Sequence, residues 1–194
     1  MWDFLAKLFG QSGAGVRRIP PAPKLILTNA CLEAVRSGLA PETQKGHEGI
    51  VFLLGRTDGL VTLAVGVFRP NAQTTRGSFH VPTAAMAQCI EAAARLELQV
   101  VGQIHTHPGQ AYHSDGDVEG TRIQYAGFAS LVVPNYGRDL PSLKGIAAYL
   151  WQENGTWHQL EPLDITILQG AGPWIARSGS TSGTAGHSGI AIVV

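Results

Sequence analysis

Short apolar runs broken by turn residues, with amphipathic stretches between them, set the pattern of this chain. The run Lys24–Leu27 predicts a strand, and Asn29–Ser37 predicts a helix capped by Asn29 and stopped by Gly38. After a polar loop containing Pro41 and Gly46, GIVFLLG and LVTLAVGVF flank the turn signal RTDG and predict a hairpin. SFHV reads as another short strand. Pro82-Thr83 then opens a helix, TAAMAQCIEAAARLE, with Met86, Ile90 and Ala93 on one stripe. QVVGQIHTHP is an apolar strand whose end turns polar and stops at a proline, which cannot continue a central ladder. A helix from Ser114 to Tyr125, a strand FASLVVP, and the strands GIAAYLWQ and TWHQL joined by the turn ENG complete the pattern. Strands and helices mix without strict alternation, so the expected fold is α+β: one domain with a mixed or mostly antiparallel sheet and helices packed on it.

The ends differ from this core. MWDFLAKLFG sets Trp2, Leu5 and Phe9 at helical spacing ahead of the loose stretch GQSGAGVRRIPPAP, which predicts a short amphipathic helix on a tether. Such a helix could pack on its own domain, dock a partner or lie on a membrane surface. ITILQGAGPWIAR suggests one more ordered segment. SGSTSGTAGHSG has the composition of a flexible linker, and the terminal IAIVV could add as an edge strand, bind a partner or stay loose. The expected organisation is therefore residues 1–22 as helix and linker, 23–164 as the folded domain, and 165–194 as a flexible extension.

Composition narrows the chemistry. The 14 Lys+Arg balance the 14 Asp+Glu, so no electrostatic footprint for nucleic acid is present. Cys31 and Cys89 lie far apart and form neither a disulfide framework nor a cysteine metal site, which makes a cytoplasmic location the expectation. No apolar run reaches the ~20 residues of a membrane span, and the N-terminus lacks the pattern of an export signal.

The polar strand end is where chemistry is expected. Residues two apart in a strand share a side, so His105 and His107 face one point. A catalytic zinc takes three protein ligands of the His and carboxylate kind and leaves a fourth position for water. Asp117, in the first turn of the following helix, can point back toward the pair. A carboxylate is also needed to carry protons, and Glu48 stands just before the strand GIVFLLG, with Glu42 the weaker candidate. Each piece also has an ordinary reading: His-x-His as a surface feature, Ser114-x-x-Asp117 as a helix N-cap, His47 and His113 as loop histidines, Cys89 as a small buried hydrophobe.

Taken together, Glu48, His105-Thr106-His107-Pro108, Ser114 and Asp117 resemble the JAMM motif of MPN-type metallopeptidases. The loop from Pro108 to Ser114 holds five residues, about one fewer than in well-known members. The resemblance implies an MPN-like (cytidine-deaminase-like) mixed sheet flanked by helices. It implies one Zn2+ per chain bound by His105, His107 and Asp117, Glu48 as general acid/base, and Ser114 positioning the water or stabilising the oxyanion. The compact form is similar to bacterial JAB-type proteins. That implies an (iso)peptidase acting on a ubiquitin-like protein or its conjugates, with E1- and E2-like proteins as pathway partners and a link to antiphage defence. The competing expectation is a non-catalytic MPN-like scaffold.

Overall fold

The computed structural model describes residues 22–120, 123–169 and 190–192; the N-terminal amphipathic segment and the Gly/Ser-rich stretch lie outside the described residues. In chain order the elements are β1 (Lys24–Thr28), α1 (Asn29–Lys45), β2 (Ile50–Thr57), β3 (Val61–Phe68), β4 (Gln73–Thr74), β5 (Phe79–His80), α2 (Thr83–Arg95), β6 (Gln99–Thr106), α3 (Asp115–Gly120), β7 (Ala129–Val133), β8 (Ala147–Trp151), β9 (Trp157–Gln159), β10 (Ile165–Leu168) and β11 (Ile190–Ile192). Eight of the strands run in the order β10-β1-β3-β2-β6-β7-β8-β9, with β4 and β5 forming a separate small hairpin. β1 pairs in parallel with β10 and β3, and β6 with β7, while the remaining neighbours are antiparallel. The sheet is therefore mixed.

β2 explains the layering. Its residues are buried on both faces, which is why it reads as an unbroken apolar run rather than an alternating one. Val51 and Leu53 join Leu25, Leu27, Leu32, Val35 and Leu39 in the core under α1. Ile50, Phe52 and Leu54 join Phe68, Cys89, Ala92 and Phe128 in the core under α2.

Several boundaries differ from expectation. α1 does not stop at Gly38; it runs through Gly38 and Pro41 to Gly46, whose φ of 65° makes the left-handed cap. Tertiary contacts hold those extra turns: Leu39 is buried, Arg69 Nη2 bonds both Glu42 carboxylate oxygens at 3.1 and 3.0 Å, and Thr43 Oγ1 donates to Tyr136 O at 2.7 Å. The cap at its start is Thr28, whose side chain accepts from Cys31 N, rather than Asn29. α2 buries Ala85, Cys89, Ala92 and Ala93 and leaves Ile90 52% exposed, so its small residues, not the larger stripe, let it lie close to the sheet. α3 ends at Gly120 instead of continuing to Tyr125, consistent with glycines at 116 and 120 in so short a helix. The sheet also continues past residue 164. β10 pairs with β1 and β11 with the far half of β3, each satisfying backbone groups that would otherwise stand unpaired.

β2 carries a register shift at Leu54/Gly55, and a Cβ on Gly55 would come within 1.8 Å of Leu63 O, a backbone atom that cannot swing aside. Gly55→Ala should destabilise by at least about 1–3 kcal/mol in denaturant titration. Gly77→Ala, which meets open space, should be near neutral.

Burial pushes the Cys31 and Cys89 thiols from an ordinary 9.0 up to about 12. Above pH 9 the unfolded chain sheds these protons and the folded chain keeps them, so stability should fall as pH rises, by up to about 1.4 kcal/mol per unit per thiol. Denaturation midpoints at about pH 8 and about pH 10 should show this loss, and a Cys31→Ala/Cys89→Ala variant should lose less over the same interval.

Candidate metal centre

The end of β6 is fixed from both sides. Antiparallel pairing sets Ile50 opposite His105, and parallel pairing sets His105 opposite Val132. Strand alternation sends Ile104 and Thr106 toward α1, and Gln103 and His105 toward α2. His107 N donates to Val133 O at 2.9 Å and prolongs the ladder by one residue, and the two imidazoles lie with ring centroids 5.2 Å apart.

Thr106, between the histidines, brings up the glutamate. Gly49 N donates to Thr106 Oγ1 at 2.8 Å, and Thr106 N donates to Gly49 O at 3.0 Å. Glu48, the preceding residue, is thereby held beside the histidines, and its own N–H donates to Thr75 O at 2.8 Å. It is only 7% exposed.

Asp117 closes the group from α3. Its Oδ1 lies 3.0 Å from His105 Nε2 and its Oδ2 3.3 Å from His107 Nε2. Ser114 N and Oγ donate to Oδ2 at 2.8 and 2.7 Å, and Asp117 N returns a bond to Ser114 Oγ at 3.2 Å. These bonds are those of the helix-cap reading of Ser-x-x-Asp, on a carboxylate that also stands beside both histidines.

One potential ligand atom from each of His105, His107 and Asp117 lies within 4.8 Å of the others. Both ring nitrogens of His105 are buried and make no aligned hydrogen bond, although Nε2 stands 3.0 Å from the carboxylate. A buried imidazole left in that state is costly unless something else takes its lone pair. A tetrahedral site takes one Asp117 oxygen, and the separation of either one from its histidine nitrogen, 3.0 Å for Oδ1 and 3.3 Å for Oδ2, is close to the roughly 3.3 Å ligand–ligand edge expected for ~2.0–2.1 Å metal bonds. Two imidazoles and a carboxylate are also the donor chemistry of a catalytic zinc, so the residues fit a metal ion.

The environments shift these groups in different directions. Burial would raise the Asp117 carboxyl, but His105, His107 and the Ser114 hydroxyl outweigh it and hold the group well below the usual carboxylate range. The bond to Asp117 raises His107, against the opposing effect of burial. Glu48 is raised, first by burial and also by the Asp117 charge, with His107 acting the other way.

These groups open on a cavity of about 810 Å3 whose lining includes Glu48, His107 and Asp117 together with Phe52, Met86 and Phe128. Tyr112, 57% exposed, sets its ring edge against His107 at 5.2 Å, and Phe79 lies 5.3 Å from the His105 ring. Neither stands out in the sequence, because an aromatic in a loop or a two-residue strand carries no periodic signal. Glu42, the weaker candidate, is engaged by Arg69 and Lys45 on α1. His47 bonds Thr74 Oγ1 through Nδ1, His80 lines the cavity, His158 is exposed, and His187 lies outside the described residues.

No protein-family model matches the chain. A relative from Sinorhizobium fredii, "Probable metalloprotease y4jG", is 29% identical over 146 residues, which cover 73% of this chain and 90% of that protein. Two structures solved in solution share the fold. A Desulfitobacterium hafniense protein has a TM-score of 0.56 at 17% identity, over 75% of this chain and 94% of that one. A Salinibacter ruber protein has a TM-score of 0.51 at 22% identity, over 76% and 94%. Among the described residues, no helix is long and apolar enough to cross a membrane. The similarity to the Sinorhizobium protein supports a metalloprotease, a hydrolase that needs a metal, and among the described residues His105, His107 and Asp117 form a group that could hold one.

Proposed function

We propose that this chain is a zinc-dependent peptidase of the JAMM type on an MPN-like core, cutting the bond that follows the C-terminal tail of a ubiquitin-like protein, in a conjugate or in a precursor. The observation that carries the reading is a buried carboxylate outside the ligand group, Glu48, lining the same cavity as His107 and Asp117. His105 Nε2, His107 Nε2 and the Asp117 carboxylate would hold the zinc. When bound, zinc polarises the scissile carbonyl and lets water attack near neutral pH.

Glu48 takes the proton from the attacking water and delivers it to the departing amine. Burial makes its carboxylate a stronger base than an exposed one, which suits both steps. Ser114 spends its one hydroxyl proton on Asp117 Oδ2, so its first task is to orient that carboxylate. To serve the oxyanion as well, the hydroxyl would turn away from Asp117. The ubiquitin-like substrate, the E1- and E2-like partners and a role in bacterial antiphage defence rest on the motif resemblance. The cavity adds that, among the described residues, its lining mixes apolar and polar side chains and carries no Lys or Arg.

Elemental analysis of the purified chain should find about one zinc, lost in Asp117→Ala prepared identically. No zinc after reconstitution would favour a non-catalytic scaffold. With ubiquitin-like fusions as substrates and the cleaved bond mapped by mass spectrometry, Glu48→Gln should lower turnover on the order of 10²–10⁴-fold while zinc stays bound. Undiminished turnover in that variant would remove Glu48 from the mechanism.

A further inference from the structure

We propose that His113 is a positioning residue for the metal centre: it clamps the loop between His107 and Asp117 onto the sheet, so that its neighbour Ser114 holds the Asp117 carboxylate in place. The inference rests on the metallopeptidase reading and adds to it a residue outside the ligand group.

The sheet is built to receive this side chain. Gln103 on β6, Ser130 on β7 and Tyr149 on β8 stand side by side, because the registers pair Gln103 with Ser130 and Ser130 with Tyr149. Ser130 is fully buried and Gln103 nearly so, and polar groups at that depth cost free energy unless they are bonded. Gln103 Nε2 donates to Ser130 Oγ at 3.4 Å, and Ser130 Oγ lies 2.8 Å from His113 Nε2. The polar row thus ends on the loop histidine.

The rest of His113 is held as firmly. Its ring stacks on Tyr149 with centroids 4.0 Å apart and planes 7° from parallel, and it meets Trp157 edge-on at 4.9 Å. Its backbone N–H donates to Tyr149 Oη at 3.3 Å. Side chain and main chain are therefore fixed together. The peptide that follows carries Ser114 N, which donates to Asp117 Oδ2 at 2.8 Å beside the hydroxyl bond at 2.7 Å. A main-chain donor points where its backbone points, so turning the peptide between residues 113 and 114 would swing this N–H off the carboxylate. At its other end the loop is tied by Asn135 N donating to Gly109 O at 3.1 Å, well before Ser114. The sheet contacts nearest Ser114 are those of His113.

A packing role alone would lower the melting temperature and leave the metal site as it is. A positioning role weakens the site itself. The test measures zinc affinity by chelator competition, together with melting temperature, in the full-length protein and in His113→Ala, His113→Gln and Ser130→Ala. His113→Ala should lose zinc affinity on the order of 10–100-fold, with kcat falling by a similar factor and KM little changed. His113→Gln, which can still reach Ser130, should recover part of this. Ser130→Ala, a minimal truncation that leaves the ring stack intact, should weaken zinc binding in the same direction, and it decides the matter if His113→Ala does not fold. Native zinc affinity in the histidine and serine variants, with only a lower melting temperature, would overturn the positioning role and leave the metallopeptidase reading standing. Failure of the unmodified protein to bind zinc would overturn both.

Discussion

The pairing of β2 with β6 governs the site, because it brings residues almost sixty positions apart to one place with their facing decided. With Ile50 opposite His105, the alternation of β6 turns His105 toward α2 and Thr106 toward α1. Thr106 then uses its hydroxyl and its backbone to grip Gly49, so the threonine that points away from the cavity is what brings Glu48 beside it. A one-residue slip would send the histidines into the apolar layer under α1 and carry the glutamate off with them.

The same pairing sets the local electrostatics. β2 and β6 lie in the middle of the sheet, buried on both faces, so the polar groups at the end of β6 sit where water is scarce. There an imidazole whose ring nitrogens make no aligned hydrogen bond, a carboxylate kept anionic by the nearby histidines and the Ser114 hydroxyl, and a second carboxylate raised by burial are not interchangeable surface features. Their environments push the two carboxylates in opposite directions, Asp117 down and Glu48 up.

Around this centre the two helices do different work. α1 seals the far face, and its last turns, stitched by Glu42–Arg69 and Thr43–Tyr136, brace the segment that leads into Glu48. α2 lies close on the near face through alanines and Cys89, and Met86 from it lines the cavity. The row Gln103–Ser130–Tyr149 then gives the short loop after His107 something polar to hold within that apolar layer.

Much of this was legible in the chain itself. The β2–β3 hairpin, the polar end of β6 and the grouping of His105, His107, Ser114 and Asp117 could be read because each depends on backbone alternation or on spacings of a few residues. The true end of α1 could not, since Gly38 and Pro41 look like breaks until Arg69 and Tyr136 arrive from elsewhere in the fold to hold the helix beyond them. The buried face of α2 departs from its most hydrophobic stripe for a related reason: hydrophobicity marks Ile90, but closeness to the sheet favours alanine. That Glu48 rather than Glu42 faces the cavity, and that His113 rests on Ser130 and Tyr149, depends on contacts between distant strands. Local periodicity says which residues share a face; only the assembled sheet says what that face meets.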